Sequence, residues 1–316
     1  MARLVFIFLF LTSVCLGAVE NSVIPAMEKF EQIENLPEQK FTKNQFSEIS
    51  AALSHGDEKI RLVTYNMLFD LYDHDLEEVN RWPQRMPRVV ELVRSMQADI
   101  VNTQELYPSQ FEDLSAALEE FTFFAGQKVS GGESYGIFYR TDRFELISEE
   151  VNYPLATVQL KDIKTGKVVY VYNTHMPFSN MEQRETNARL IAEVLEPLAQ
   201  DNALVFTGDL NTFPGMLEMD KFPFYDGDYI QRILSQGSLK NSQSVSLLGH
   251  FGPLSTFTNT GTETLPFQGT GTPGVFLDHV FVSPKVQVLT HGVECGTVDG
   301  HYPSDHMPVV VDFLVK

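Results

Sequence analysis

The stretch Val205-Phe206-Thr207-Gly208-Asp209-Leu210-Asn211 (residues 205–211) joins an apolar run to a group of polar side chains. The run is short and rich in β-branched and aromatic residues, which predicts a buried strand over residues 203–209. Such a strand holds its backbone rigid, while the loop that follows is free to shape a cleft. We therefore expect Asp209 and Asn211 to lie at a ligand site.

Three other β-type runs also end in polar side chains. They cover residues 60–66, 99–105 and 168–175, and they carry Asn66, Glu105 and His175 at their ends. Further β-type runs are predicted at residues 135–140, 275–283 and 307–314, with a helix from about Pro83 to Met96 and another from Asn180, whose capping box is placed at 179–182. Four polar strand ends predict a single site.

Two late segments add acidic and imidazole groups. Asp278 lies inside the apolar run 276–281, where a carboxylate is costly unless a cation or strong donor compensates it. His306, which follows Asp305, is the candidate partner and would gain a fixed tautomer from the pair. Each motif alone is more often a turn, cap or surface group, so the prediction of a site depends on the whole ordered set.

The charge balance limits the partners. The chain has 42 acidic and 23 basic residues, a net charge of −19, and such a field repels a phosphate backbone. Indiscriminate nuclease activity is disfavoured. The one basic concentration, at Arg81, Arg85, Arg88 and Arg94, is interpreted as a solvated helix face.

The amino terminus predicts export. Arg3 precedes an apolar run from Leu4 to Leu16 and the small pair Gly17-Ala18, which is typical of a secretory signal and shorter than a membrane span of about 20 residues. An uncleaved anchor or buried helix is the alternative. We expect a signal peptide at 1–18, a helical extension at 19–58, a catalytic domain at 59–316, and a monomer in the periplasm or outside the cell. Only Cys15 and Cys295 occur, and we expect Cys15 to leave with the signal peptide, so that no intrachain disulfide would be possible in the mature chain.

The ordered motifs resemble a known superfamily. Asn66, Glu105, His175 and the segments 208–211, 277–279 and 304–306 resemble the endonuclease/exonuclease/phosphatase superfamily, which includes deoxyribonuclease I, over residues 60–316. Segments such as Trp82-Pro83-x-Arg85 and 302–306 give the closest resemblance to a poorly characterised bacterial branch. The chain departs at Phe276, where the superfamily often has arginine. With the alternating runs, the resemblance implies an α/β (α+β) fold, a four-layer sandwich of two mixed β-sheets flanked by helices.

The resemblance also implies roles. Oxygen ligands suit Mg²⁺, with Mn²⁺ as a substitute. Glu105 would be the main metal ligand, with Asn66 beside it and Asp305 completing the metal environment. Asp209 would orient or deprotonate the attacking water, Asn211 and His175 would donate to phosphate oxygens, and His306 supported by Asp278 would stabilise the pentavalent charge. Glu133, in the segment 131–136, would orient His175.

The substrate is less defined. The loop 252–274 is dense in Gly, Thr and Pro and offers Thr256, Phe257 and Phe267, groups that suit a sugar, nucleotide or lipid better than a polyanion. We expect a phosphodiesterase or phosphatase acting on a small molecule or lipid headgroup. A secreted nuclease acting on DNA or RNA is the alternative. A non-catalytic binding module is disfavoured, because every key polar position is filled.

Overall fold

Two β-sheets form the centre of the molecule. The computed structural model describes residues 54–128, 134–212, 227–258 and 275–316. The strands in these ranges are β1 (Ile60–Asn66), β2 (Ile100–Leu106), β3 (Phe121–Lys128), β4 (Ser134–Arg140), β5 (Phe144–Asn152), β6 (Leu155–Asp162), β7 (Val168–His175), β8 (Leu204–Asp209), β9 (Lys240–Asn241), β10 (His250–Phe251), β11 (Asp278–Val282), β12 (Val286–Val293) and β13 (Val309–Val315). The helices are α1 (Trp82–Ser95), α2 (Pro108–Ala117), α3 (Met181–Ala199), α4 (Tyr229–Leu234) and α5 (Ser242–Val245), with 3-10 turns at Gly56–Glu58, Asp70–Asp75 and Glu78–Asn80.

Both sheets are mixed. The first has the strand order β10-β12-β13-β1-β2-β4-β3, and the second has the order β5-β6-β7-β8-β11-β9. The neighbours β1 and β2 run parallel, as do β7 and β8. Helix α1 connects the first parallel pair and α3 connects the second, so each sheet contains one β-α-β unit. The carboxyl ends of these two parallel pairs carry the predicted site residues.

Alternating side chains divide the apolar core into three layers. Leu62 and Val205 point between the sheets, where they pack in one large cluster. The next residues along the strands point the other way: Val63 packs against α1 and α2, and Phe206 packs against α3 and α4. Successive strand residues face opposite sides, so each sheet buries both faces. This confirms the predicted four-layer sandwich of two mixed β-sheets flanked by helices.

Local details differ from the prediction at two places. Helix α3 is capped by Asn180, whose side chain accepts a hydrogen bond from the backbone N–H of Gln183 at 2.9 Å. The helix therefore begins one residue later than the predicted capping box at 179–182 requires. The solvated-face interpretation of the arginine cluster is wrong for Arg85 and Arg88, which are buried. Their guanidinium groups donate to backbone carbonyls, which compensates the cost of burial.

Several predicted segments lie outside the described residues. These are the signal peptide, the extension up to residue 53, and residues 259–274 of the Gly- and Thr-rich loop. No helix in the described ranges is both long and apolar enough to span a membrane.

Candidate active site

Four strand ends from the two sheets meet at one place. Asn66 ends β1 and Glu105 lies near the end of β2, while His175 and Asp209 end β7 and β8 and are paired in register. Gly208 permits this close pairing, because a Cβ atom there would lie 2.4 Å from the carbonyl oxygen of its neighbour on β7. The structure therefore brings together side chains that are up to 143 positions apart.

The Asn66 side chain connects the two sheets. Its Nδ2 donates to Glu105 Oε1 at 3.0 Å and to Asp209 Oδ2 at 3.0 Å. Its Oδ1 accepts from the backbone N–H of Leu68 at 3.1 Å. In this arrangement Asn66 presents its amide nitrogen to the carboxylates, and a role as an oxygen ligand requires the amide to turn.

Glu105 is a carboxylate in a strained and dehydrated position. Its backbone has φ +56°, in the left-handed region that costs a non-glycine residue about 1–3 kcal/mol. Burial raises the pKa of Glu105 to about 7, and the charge of Asp305 adds to this, while His175 opposes it. His175 Nε2 lies 3.8 Å from Glu105 Oε1. Such a site favours a cation that would neutralise the carboxylate.

His175 and Asn211 form one side of the site. Asn211 Nδ2 lies 3.3 Å from His175 Nε2 and donates to the carbonyl of Met176 at 2.8 Å. The backbone N–H of Asn211 donates to Asp209 Oδ1 at 2.9 Å, and Asn211 also has a left-handed φ of +50°. Burial and the charge of Asp278 raise the pKa of Asp209, against the charges of the histidines. The three side chains therefore hold one another in place.

His306 and Asp278 form a buried pair on the opposite side. His306 Nδ1 lies 2.7 Å from Asp278 Oδ2, and His306 Nε2 faces Asp209 Oδ2 at 3.7 Å. Burial alone would lower the pKa of His306, but the charge and hydrogen bond of Asp278, with the charges of Asp209 and Asp305, hold this pKa well above its usual range. The imidazole is therefore held as a cation that faces the other carboxylates.

Asp305 is anchored through its backbone. Its carbonyl accepts from the backbone N–H of Thr258 at 2.8 Å and from the Thr258 hydroxyl at 3.0 Å. The hydroxyl of Ser304 donates to the carbonyl of Asn66 at 2.7 Å, which connects this segment to the end of β1. Glu133 lies outside the described residues, so its pairing with His175 stays a prediction.

The donor set fits a divalent cation. Glu105, His175 and Asp209 offer ligand atoms within 4.8 Å of one another. A second group with the same property, Asp209, Asp278 and His306, is explained by the histidine–aspartate pair. Asp305 belongs to neither group. Clustered carboxylates, which supply oxygen donors, suit Mg²⁺ or Mn²⁺.

A buried polar network beneath the site was missed from the sequence. Asn102 Nδ2 donates to Thr207 Oγ1 at 2.7 Å, and Gln104 Nε2 donates to Asn173 Oδ1 at 2.8 Å. Each bond joins the first sheet to the second. The sequence predicted no role for these four residues. The sequence signal was an amide or hydroxyl inside an apolar run, where a buried polar group needs a partner.

Comparisons with known proteins identify the family of the chain and agree with its fold. A sequence model of the Endonuclease/Exonuclease/phosphatase family matches residues 63–306. A family protein from Bacteroides thetaiotaomicron has 22% identity and a TM-score of 0.63, covering 82% of this chain and 98% of that chain. A mannosyl-6-phosphatase of the same organism has 23% identity and a TM-score of 0.63, covering 81% and 99%.

More distant structures share the fold as well. D. rerio TDP2, solved in complex with a single strand DNA product, has 18% identity and a TM-score of 0.60, covering 81% of this chain and 99% of that chain. No curated protein matches the sequence. The family match spans well over half of the chain and includes the motifs from Asn66 to His306. The chain therefore belongs to the Endonuclease/Exonuclease/phosphatase family.

Proposed function

We propose that this protein is a Mg²⁺-dependent phosphoesterase, with Mn²⁺ as a substitute. The observation that supports this most is a chain of close approaches between carboxylates and imidazoles. His175 Nε2 lies 3.8 Å from Glu105 Oε1 and 3.6 Å from Asp209 Oδ2, and His306 Nε2 lies 3.7 Å from Asp209 Oδ2. Carboxylates that hold a cation, together with imidazoles that face the same point, are what hydrolysis of a phosphate ester requires.

Each group has a proposed part in the reaction. When bound, the cation would polarise a phosphoryl oxygen and offset the developing charge. Asp209, held by Asn66 and by the backbone of Asn211, would orient the attacking water and accept its proton. Asn211 and His175 would donate to non-bridging oxygens. His306, kept cationic by Asp278, would stabilise the pentavalent charge and the leaving oxygen.

We propose a small phosphoester or a lipid headgroup as the substrate. The net charge of −19 opposes a long polyanion. Phe178, three positions after His175, leaves 56% of its surface exposed, and Phe257 packs edge-on against His306 with ring centroids 5.2 Å apart. An aromatic ring beside the His306 imidazole and an exposed one near His175 in the chain suit a sugar or an apolar leaving group. The mannosyl-6-phosphatase supports this choice, and the DNA complex of TDP2 supports the alternative, a secreted nuclease.

One screen tests the proposal. The mature protein is incubated with Mg²⁺ and, in parallel, with excess chelator, on chromogenic mono- and diesters, sugar phosphates, inositol phosphates, sphingomyelin, RNA, and single- and double-stranded DNA. We expect chelator-sensitive hydrolysis of one of the small or lipid esters. Preferred cleavage of a nucleic acid would instead establish the nuclease, and hydrolysis of none would overturn both.

We also propose that the protein is exported and acts as a monomer. Export is supported by the charged start, the apolar run and the small-residue pair at residues 1–18. Mass spectrometry of protein from its native host should give an amino terminus near Val19, whereas an intact Met1 on soluble cytoplasmic protein would contradict export. Light scattering of the purified protein should give the mass of one chain, and a stable dimer would contradict the monomer.

A further inference from the structure

Two buried arginines occupy equivalent places in the two β-α-β units. Arg85 is the fourth residue of α1 (Trp82–Ser95), and Arg184 is the fourth residue of α3 (Met181–Ala199). Both have a relative exposure of 0%. A buried guanidinium is costly to dehydrate, so its partners indicate what it does.

Arg85 binds the two segments that flank one half of the site. Its Nη1 donates to the carbonyls of Met67 and Pro303, each at 2.9 Å, and its Nη2 donates to the carbonyl of Leu68 at 2.8 Å. Leu68 has a left-handed φ of +56°, and its N–H is the donor that fixes the Asn66 amide. Arg85 therefore acts through Leu68 on the side chain that bridges the carboxylates.

Pro303 extends the effect of Arg85 to the late segment. It precedes Ser304, whose hydroxyl donates to the carbonyl of Asn66 at 2.7 Å, and Asp305 follows. One guanidinium thus connects the end of β1 with the segment that carries Asp305.

Arg184 binds the segment on the other half. Its Nη1 donates to the carbonyls of Pro177, at 2.9 Å, and Phe178. These residues follow Met176, whose carbonyl accepts from Asn211 Nδ2 at 2.8 Å. Arg184 therefore fixes the backbone that places Asn211 against the imidazole of His175.

We propose that Arg85 and Arg184 are positioning residues that each align one half of the site. This rests on the proposed function. Arg85 aligns the half with Asn66, Asp305 and Glu105, the carboxylate that would be the main ligand of the cation. Arg184 aligns the half with His175 and Asn211 that would face the phosphoryl group.

The test compares Arg85→Lys and Arg184→Lys with Arg88→Lys. Lysine keeps the charge but cannot reach several carbonyls with one planar group. Arg88 is the matched control, because it is buried on the same helix as Arg85 yet donates to the carbonyls of Gln84 and Val79, away from the site. Three quantities are measured for each protein: the rise in melting temperature with Mg²⁺ alone, the Mg²⁺ concentration for half-maximal hydrolysis, and KM for the ester.

Arg85→Lys and Arg184→Lys should differ in which of the measured quantities they change. Loss of a residue that supports a metal ligand from outside typically lowers metal affinity or activity about 10–100-fold. Arg85→Lys should therefore raise the half-maximal Mg²⁺ concentration at least tenfold and reduce the Mg²⁺-induced rise in melting temperature. Its KM should stay within about threefold of wild type. Arg184→Lys should keep both Mg²⁺ responses and raise KM or lower kcat about tenfold or more. Arg88→Lys should match wild type in all three quantities.

Several results would overturn the proposal. It is wrong if Arg85→Lys and Arg184→Lys change the same quantities in the same proportion, or if Arg88→Lys reproduces either pattern. If Arg85→Lys does not fold, Asp73→Asn replaces it, because Asp73 Oδ1 lies 4.0 Å from Arg85 Nη2 and the change removes this charge. The amide oxygen of asparagine can still accept the hydrogen bond that Asp73 Oδ2 receives from the backbone N–H of Trp82 at 2.7 Å. An unchanged Mg²⁺ response in that variant is then the overturning result.

Failure of the proposed function is distinguishable. A wild-type protein that is stabilised by Mg²⁺ but hydrolyses no ester contradicts the phosphoesterase. In that case the Mg²⁺-induced rise in melting temperature of Arg85→Lys, compared with that of Arg88→Lys, still tests whether Arg85 positions the cation site. If the wild-type protein hydrolyses an ester and the Arg85→Lys or Asp73→Asn variant keeps the wild-type Mg²⁺ response, the positioning role alone is contradicted.

Discussion

The pair of His306 and Asp278 allows a quantitative prediction. Asp278→Asn keeps the shape of the side chain and an acceptor for His306 Nδ1, but it removes the negative charge from a bond of 2.7 Å between groups that are 0% and 5% exposed. A hydrogen bond to a charged group contributes about 1.5–3 kcal/mol, so kcat should fall roughly ten- to hundredfold. KM should change little, because the lost charge acts mainly on the transition state.

Asp312→Asn is the matched control. Asp312 is also buried, and it accepts from Arg61 Nε at 2.7 Å, but it lies on β13 paired with the opposite end of β1 from Asn66. Removing one partner of this pair should destabilise the fold by roughly 3 kcal/mol, while kcat of the folded protein stays at the wild-type value. Initial rates at saturating ester and urea unfolding curves give both quantities. A kcat of Asp278→Asn within twofold of wild type, or an equal loss in Asp312→Asn, would refute the reasoning.

Three further predictions concern the metal, the second histidine and acid stability. Excess chelator should abolish hydrolysis and Mg²⁺ or Mn²⁺ should restore it, while Glu105→Ala should lose both turnover and Mg²⁺-induced stabilisation; full activity in chelator would contradict the metal site. Glu133→Gln should slow hydrolysis and lower the apparent pKa of the step that needs a proton on His175, and a wild-type pH profile would eliminate that pair. Burial lowers the pKa of His279 to about 4, so the unfolded chain binds more protons below its ordinary pKa of 6.5, and stability is lost as the pH falls from about 6.5 towards 4. At pH 5 this costs roughly 2 kcal/mol, which His279→Asn should remove in urea titrations. Burial raises the pKa of Glu294 to about 7, which acts in the opposite direction, but it is present in both proteins and cancels in the difference. Equal pH slopes for the two proteins would contradict this assignment.

The sequence predicted seven of the strands but not the interior strands β6 and β12 or the edge strands β3 and β5. The strands at Ile60–Asn66 and Val168–His175 have the predicted bounds, because apolar runs with polar ends are typical of buried strands. The edge strand β5 (Phe144–Asn152) was not predicted, since every residue after Phe144 is exposed and no apolar alternation marks it. Pattern reasoning depends on burial, and an edge strand buries little.

In the site, the sequence predicted which side chains come together better than it predicted how they are oriented. The Asp278 and His306 pair followed from the cost of a carboxylate in an apolar run. The burial of Arg85 did not, because its partners are backbone carbonyls as far as 218 positions away, and carbonyls leave no mark on the sequence. The orientation of the Asn66 amide depends on the left-handed backbone of Leu68, a residue type with no preference for that conformation.

The polar bonds between the sheets have a consequence for how sequence change acts on this molecule. Apolar contact between two sheets has no preferred alignment, since burial is non-directional. The bonds from Asn102 to Thr207 and from Gln104 to Asn173 do have one. A slip of one sheet along the other by a single residue, about 3.3 Å, would leave these amides unpaired at about 1–3 kcal/mol each. The sheets are thus locked in register beneath the site, so substitutions in the apolar interface should alter melting temperature well before they alter the spacing of the opposed carboxylates.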